Sequence, residues 1–255
     1  MTGPRFARVA GELRERIALG DYGDSGALES EAELGRRYAV SRITVRRALE
    51  QLRDEGLVSS RKGAGWYVAG GTFHQPVALG TFQHAASAIT EAGRQMHRRV
   101  VEFGYVVTPA EIADTLGVAA GEEALRVRSV RTADLTPLDA VTEWIPATIA
   151  GHVSRADAEE IGIWESLRRR GNRIATVRQS IAAVSAADDT AELLGVAAGV
   201  PLLLVRRIAV GADNTILALS NHRYIGHRFR LDVAFRGWPG TAATEPPGLN
   251  LGAET

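Results

Sequence analysis

The 255-residue chain contains no cysteine, so it can form neither disulfide bonds nor thiolate metal sites. It also lacks an apolar run near the roughly 18 residues of a membrane-spanning helix, and residues 1–10 lack the apolar core of a signal peptide. We therefore expect a cytoplasmic protein with no membrane association. Its 45% hydrophobic residues are enough to bury the cores of one or two globular domains.

Net charge is also absent, because 30 basic residues balance 30 acidic ones. An architectural protein that coats DNA usually carries a broad basic surface, so the neutral total argues against that class. The positive charge is local instead, since residues 34–49 hold five arginines and no acidic residue. Such a stretch is either a solvated helix face or a surface that attracts phosphates, and charge alone does not decide between them.

Two helices are predicted before this basic stretch. Apolar residues recur at helical spacing from Phe6 to Ile17, and the pattern stops at Gly20. Ser30 and Glu33 form the sequence of a capping box, which predicts a short second helix.

The basic stretch itself predicts a third helix, which the hydroxyl of Ser41 can cap. Its apolar positions form one buried stripe, made of Val45, Ala48, Leu49 and Leu52. At about 100° per residue, Arg46 and Arg47 fall on the side away from that stripe. Arg42 and Thr44 lie in the exposed first turn. These four side chains are therefore available for DNA.

A glycine turn between two β-rich runs predicts a wing after the third helix. Residues 57–60 and 66–68 have the composition of strands, and Lys62, Gly63 and Gly65 lie in the turn between them. Cations next to glycines suit a backbone that must approach phosphates or a minor groove closely. Residues 1–69 are thus predicted to form a winged helix-turn-helix domain.

Beyond this domain the sequence changes character at a glycine pair. We expect a linker at residues 70–74, a second domain at residues 75–238 and a disordered tail at residues 239–255.

The second domain contains an internal repeat, because residues 113–121 recur in similar form as residues 191–199. Each copy is predicted to have a capping box, at Thr108 and at Ser185, then a short helix and a β-hairpin. Strands at 98–107 and 174–184 and helices at 85–92 and 163–169 complete the predicted elements. The fold class is therefore α+β: an N-terminal winged helix-turn-helix, then helices packed against a mainly antiparallel sheet.

The first domain carries a set of motifs that are specific in combination: Glu12-Leu13-Arg14, Ser30-Glu31, Val40 to Arg46, Glu55-Gly56-Leu57, and Gly63 with Gly65. Through them residues 5–69 resemble the DNA-binding domain of the GntR family of bacterial regulators. The second domain carries Leu116-Gly117-Val118, Pro137-Leu138, Trp144-Ile145-Pro146, Leu194-Gly195-Val196 and Tyr224. Through these, residues 75–235 resemble UTRA, the effector-binding domain of the HutC subfamily.

This resemblance implies a homodimer that reads a palindromic operator, with each recognition helix in the major groove and each wing in the minor groove. The DNA contacts that we predict are Ser30, Ser41, Arg42, Thr44, Arg46, Arg47, Lys62, Gly63 and Gly65. The chain departs from the family at Glu29 and Ala32, where proline and arginine are usual. We therefore expect a different operator sequence or affinity.

The resemblance also maps effector contacts onto His84, Ser129, Arg131, Glu143, Trp164 and Tyr224. Relatives that bind sugar phosphates hold the phosphate with hydroxyls and paired arginines. Here Ser129 stands at the first arginine position, and Gly162 and Trp164 replace the hydroxyl pair. Because phosphate donors are lost and apolar surface is gained, we predict a small-molecule effector without a phosphate, aromatic or amphipathic in character.

The effector residues have alternative interpretations. Arg131 is either a ligand-pairing cation or an exposed strand arginine, and Glu143 either accepts a hydrogen bond or faces outward. Tyr224 is a ligand contact or a packing aromatic, and Trp164 a pocket wall or core. His84 is a pocket residue or a surface histidine.

Motifs for catalysis are missing: there is no GxSxG elbow, no phosphate-binding glycine loop and no compact histidine motif. No metal site or cofactor is therefore predicted. UTRA domains resemble chorismate lyase in fold, so an enzyme of that kind is the alternative function. The attached basic helix and wing favour a sequence-specific transcription regulator, a repressor whose operator affinity depends on the effector.

Overall fold

The computed structural model describes residues 4–23, 25–69, 73–78, 95–134, 136–151 and 153–234. His84, the helix predicted at 85–92 and the tail predicted at 239–255 lie outside these residues. Within them, no helix is both long enough and apolar enough to cross a membrane.

The N-terminal unit has the predicted helix-turn-helix and wing. Its elements are α1 (Arg5–Leu19), α2 (Glu31–Tyr38), α3 (Arg42–Asp54), β1 (Val58–Arg61) and β2 (Gly65–Val68). α1 ends at Gly20 with a left-handed φ of 78°. The capping box of Ser30 and Glu33 begins α2, and the hydroxyl of Ser41 accepts a hydrogen bond from the Thr44 amide at the start of α3. These predictions are confirmed.

One hydrophobic core holds the three helices together. Leu13 and Ile17 of α1 and Leu49 and Leu52 of α3 are essentially inaccessible to solvent and belong to a single cluster with Leu34 of α2. Because α3 packs through its apolar stripe, its opposite side stays in solvent.

The C-terminal unit is α+β, as predicted. Its helices are α4 (Ala110–Leu116), α5 (Ala147–Ala150), α6 (Arg155–Glu160), α7 (Ile163–Arg169) and α8 (Asp188–Leu194). Its strands are β3 (Phe73–Ala78), β4 (Met96–Val107), β5 (Glu123–Ala133), β6 (Thr136–Pro146), β7 (Ile174–Ser185), β8 (Pro201–Gly211), β9 (Ile216–Ile225) and β10 (Phe229–Ala234). β3 begins inside the segment predicted as a linker and pairs in parallel with β10.

Six strands form one antiparallel sheet in the order β4-β5-β6-β9-β8-β7. The two repeat copies supply its centre as the hairpins β5-β6 and β8-β9, which meet along β6 and β9. The helices of the copies, α4 and α8, both end at a left-handed glycine, Gly117 and Gly195.

The capping boxes predicted for the two copies are wrong. α4 begins after Pro109, and no side chain caps it. Pro109 takes the N-cap position with a ψ of 145°, its carbonyl accepts the first hydrogen bonds of the helix, and its ring has no oxygen to accept another. Ser185 is the last residue of β7, and Ala187 takes the N-cap position of α8.

The two faces of the sheet carry different helices. On one face, here called the α7 face, Leu125, Val127 and Ile145 pack against α5, α6 and α7. On the other, here called the α8 face, α4 covers Trp144 and Leu219 while α8 covers Ala140 and Ile225. Side chains alternate along each strand, so the two faces form separate sites.

Leu13→Ala tests the core of the N-terminal unit. Removing this fully buried side chain should lower the free energy of unfolding by about 2–5 kcal/mol, because contacts are lost and a cavity remains. Leu19→Ala in the same helix is the control: its side chain is 68% exposed, so the change should stay within about 0.5 kcal/mol. Denaturant unfolding followed by helical circular dichroism measures both, and equal effects would contradict the described packing.

Candidate functional site

The first turn of α3 is presented to solvent, as predicted. Arg42 is exposed, and the hydroxyls of Ser41 and Thr44 lie 2.9 Å apart at the helix start. Ile43 is 82% exposed, an unusual position for a large aliphatic side chain. Sequence reasoning missed Ile43, although its place between Arg42 and Thr44 was a usable signal.

Arg46 is held in place by Glu31 at the start of α2. Its Nε and Nη2 donate to the Glu31 carboxylate at 3.1 and 2.9 Å, and Trp66 Nε1 of the wing donates to the same carboxylate at 3.4 Å. The hydrogen bond from Arg46 lowers the pKa of Glu31, while burial opposes the shift. Glu31 thereby links α2, α3 and β2. The Arg46 side chain is still 62% exposed.

The remaining predicted DNA contacts lie on the same unit. Arg47 is exposed and stacks over the ring of Phe6, 4.3 Å from its centroid. In the wing turn, Lys62 is exposed, and Gly63 and Gly65 have φ values of 77° and 100°. Both glycines are therefore needed for the left-handed backbone of the turn, with no neighbour crowding them.

Glu29, one of the two departures from the family, has a local role. Its carboxylate accepts a hydrogen bond from Arg16 at 2.8 Å and lies 3.5 Å from a guanidinium nitrogen of Arg37. The acid thus compensates basic charge beside the predicted DNA surface.

A cavity of about 260 Å³ opens on the α7 face. Three predicted effector residues line it: Arg131, Glu143 and Trp164. Ser129 and Tyr224 are buried on the same face of the sheet, but they are not part of the cavity lining.

Arg131 lies in a buried network. Its guanidinium donates to both carboxylate oxygens of Asp139 and, at 3.0 Å, to the hydroxyl of Tyr224, while Nδ1 of His222 lies 3.1 Å away. Although burial opposes it, the charge of Arg131 holds the pKa of Asp139 well below its usual range, with help from a hydrogen bond to His222. Burial and the nearby Arg207 lower the pKa of His222. The exposed-arginine interpretation of Arg131 is therefore wrong.

Glu143 is also buried, so its outward-facing interpretation is wrong. Its carboxylate accepts a hydrogen bond from Arg98 of β4 at 2.9 Å. A Cβ added at Gly162, where φ is 82°, would lie 3.2 Å from the Arg98 guanidinium. Arg98 thus occupies the space beside Gly162.

The cavity lining has an acidic balance. Its carboxylates are Glu143, Glu159, Glu160 and Glu165, and its cations are Arg98 and Arg131. Both arginines already pair with buried carboxylates. No cluster of ligands for a metal ion occurs among the residues that the structure describes.

Sequence reasoning missed Arg98, Asp139 and His222. Each lies within a strand, and the strand register brings Asp139 opposite Arg131 and places His222 beside them. No local motif could have identified them.

A chain of contacts links this network to the N-terminal unit. The Tyr224 ring stacks on Phe229 with centroids 3.7 Å apart. In the same strand as Phe229, Arg230 donates to the Leu19 carbonyl at the end of α1 at 2.6 Å. Nearby, the ring of His227 is buried, and burial lowers its pKa to about 4.

Two family models match the chain. The model described as "Bacterial regulatory proteins, gntR family" matches residues 6–68, and the model described as "UTRA domain" matches residues 91–230. The two matches fall on the two structural units.

Characterised relatives are similar over most of their length. The transcriptional repressor NagR of Bacillus subtilis is 25% identical, over 89% of this chain and 92% of that protein. The transcriptional regulator Rv0792c of Mycobacterium tuberculosis is 31% identical, over 94% of this chain and 89% of that protein. The crystal structure of PhnF from Mycobacterium smegmatis has a TM-score of 0.59 and 26% identity, covering 89% of this chain and 98% of that one.

Asp139→Asn tests the buried network. It leaves the Arg131 charge without a counter-ion in the interior, so the free energy of unfolding should fall by about 3–5 kcal/mol. The matched double variant, Arg131→Met with Asp139→Leu, removes both charges and should lose much less. Denaturant unfolding of the two variants measures the difference, and a double variant no more stable than the single one would contradict the charge-pair account.

Proposed function

Because the chain belongs to the GntR family of bacterial regulatory proteins and carries a UTRA domain, we propose a homodimeric repressor that binds a palindromic operator. A small molecule without a phosphate controls the affinity of this repressor for DNA. The repressor acts in the cytoplasm. The chain is a DNA-binding transcription regulator like its relatives, and the lyase-like alternative has no support among them. The name of NagR supports the repressor part of the proposal.

The exposed first turns of α3 carry the DNA part of the proposal. Arg42, Thr44 and Arg46 project from the side of α3 that leaves the core, where an arginine can donate two hydrogen bonds to guanine. Ile43 beside them offers an apolar contact for a thymine methyl group. Arg47 extends the same basic surface.

Backbone groups and the wing supply the phosphate contacts. Ser30 and Ser41 cap α2 and α3, whose N-termini favour negative charge. The wing presents Lys62 on a turn that Gly63 and Gly65 keep narrow. Contacts of this kind fix the orientation of the protein on DNA without reading its sequence.

We assign Glu31 a positioning role for Arg46. Its carboxylate holds the guanidinium of Arg46 at the surface and also accepts a hydrogen bond from Trp66 of the wing. A side chain that is already ordered loses less conformational entropy when it binds a base.

Arg46→Ala and Lys62→Ala separate base reading from phosphate attraction. Loss of Arg46 should weaken binding to the operator by about 1–3 kcal/mol and weaken binding to random DNA by less. Loss of Lys62 should weaken binding to both DNAs by similar amounts and reduce the dependence of binding on salt concentration. Fluorescence anisotropy at several salt concentrations measures this. Arg53→Ala, at the far end of α3, is the control and should change little. Equal losses on operator and random DNA for both variants would contradict the assignment.

The acidic cavity carries the effector part of the proposal. Arg98 and Arg131 are neutralised by Glu143 and Asp139, so no free cation awaits a phosphate. Glu160 is exposed at its rim and favours a positively charged or hydrogen-donating group, whereas Glu159 already pairs with Arg155 at 3.3 Å. Trp164 offers an apolar wall. We therefore infer an aromatic or amphipathic effector that bears such a group.

The route from effector to DNA runs through β10. A ligand against Arg131 acts on Tyr224, which stacks on Phe229, and Arg230 then contacts the end of α1. Regulation requires only that the effector bind two placements of the DNA-binding domains with different affinity.

Symmetry supports the homodimer, since two half-sites related by a two-fold axis match two identical subunits. The long edge strand β7 is exposed along most of its length, including Ile181 at 44%, and suits contact with a second copy.

Isothermal titration with tryptamine, an indole that carries an alkylammonium group, and with glucose 6-phosphate tests the effector class. We expect the amine to bind and the sugar phosphate not to bind, because the cavity repels anions. Glu160→Gln should weaken the binding of tryptamine several-fold. Glu192→Gln, which removes an exposed carboxylate of α8, should leave this binding unchanged. Tight binding of the sugar phosphate without a response to planar amines would contradict the proposal.

A further inference from the structure

The α8 face has a cavity of its own, about 430 Å³ in volume and separated from the effector cavity by the thickness of the sheet. Its floor and walls include Arg126, Arg128, Thr142, Trp144, Asp189 and Arg223. The volume falls in the range of about 300–1,000 Å³ that is typical of small-molecule sites.

Strand register places these residues together. Arg126 pairs with Trp144 and Arg128 pairs with Thr142, across β5 and β6. Arg223 pairs with Ala140 across β6 and β9. Because successive side chains of a strand point to opposite faces of the sheet, all of these side chains point away from the α7 face. α4 and α8 cover the two ends of this face and leave its polar middle as an open cleft.

The cleft has more positive than negative charge. Arg126 and Arg128 share Glu102, at 2.7 and 2.8 Å, and Arg128 also pairs with Asp189 at 2.8 Å. Arg206, on the same face, donates to a neutral acceptor, the side chain of Asn221. These carboxylates therefore leave the guanidinium groups of this face only partly compensated.

Arg223 differs from Arg126 and Arg128 in having no direct carboxylate partner among the described residues. It is half-buried, and among the described residues no carboxylate hydrogen-bonds or ion-pairs with it. Burial lowers the pKa of Arg223. The charge of Asp189 opposes this shift, and the charges of Arg128 and Arg206 add to it. Taking a charge partly out of water without a partner costs free energy, so this arginine destabilises the unliganded fold.

An apolar surface borders the charges. The Arg126 guanidinium lies 5.7 Å from the Trp144 ring centroid, and Leu193 and Leu204 complete this side of the cleft. A flat hydrophobic group can pack there while its charged end reaches Arg223.

We propose that this cleft is a second ligand site, which binds a small anion with a flat apolar body, such as an aromatic carboxylate. The carboxylate supplies the partner that Arg223 lacks. It can also compete for Arg128, because the Asp189 side chain is 63% exposed and readily replaced by water or ligand. The two faces of one sheet then select ligands of opposite charge.

Isothermal titration of the full chain with 2-naphthoate tests the site without DNA. We expect one molecule per subunit, and at least ten-fold weaker binding of 2-naphthylmethanol, which has the same ring system and no charge. Arg223→Gln should abolish binding while leaving the melting temperature unchanged or higher. Arg178→Gln, an exposed arginine of β7 on the same face, should leave binding unchanged.

Two further variants locate the bound molecule. Leu193→Trp fills the cleft and should block 2-naphthoate, whereas Met96→Ala changes the effector cavity and should not affect it. Binding that survives Arg223→Gln and Leu193→Trp, that disappears in Met96→Ala, or that is equally strong for the alcohol would overturn the proposal.

Discussion

The buried ion pair of Arg131 and Asp139 is the interaction on which the C-terminal domain depends. It joins β5 to β6 near the turn of their hairpin, and Tyr224 and His222 of β9 complete its hydrogen bonds. A one-residue slip between these strands would put the two charges on opposite faces of the sheet, so the pair favours the observed register of the β5-β6 hairpin. It also pairs the Arg131 guanidinium with a carboxylate, which is why we propose an effector without a phosphate.

The same network lies at the start of the contacts that reach the DNA-binding unit. Tyr224 bonds Arg131 on one side and stacks on Phe229 on the other, and Arg230 then meets the end of α1. Within the N-terminal unit, Glu31 connects Arg46 to the wing. These contacts connect the cavity on the α7 face to the end of α1, and they are one route by which a ligand could favour one placement of the DNA-binding unit.

Local signals predicted the N-terminal domain well, because its helices depend on caps and on one apolar stripe. Ser30, Ser41 and Gly20 act where the sequence placed them. The β-rich domain was predictable as hairpins but not as a site. The partners of Arg131 and Glu143 come from other strands, and only register brings them together. A local prediction also failed, because Pro109 and not Thr108 takes the N-cap position of α4.

Sequencing of genomic DNA fragments that the purified protein retains tests the central claim most directly. The account predicts that the fragments share one inverted repeat, with half-sites about 10 base pairs apart or a multiple of that spacing, because two identical recognition helices read one face of the duplex. Fragments with no common sequence, or with a single unrepeated half-site, would contradict a dimeric, sequence-specific regulator.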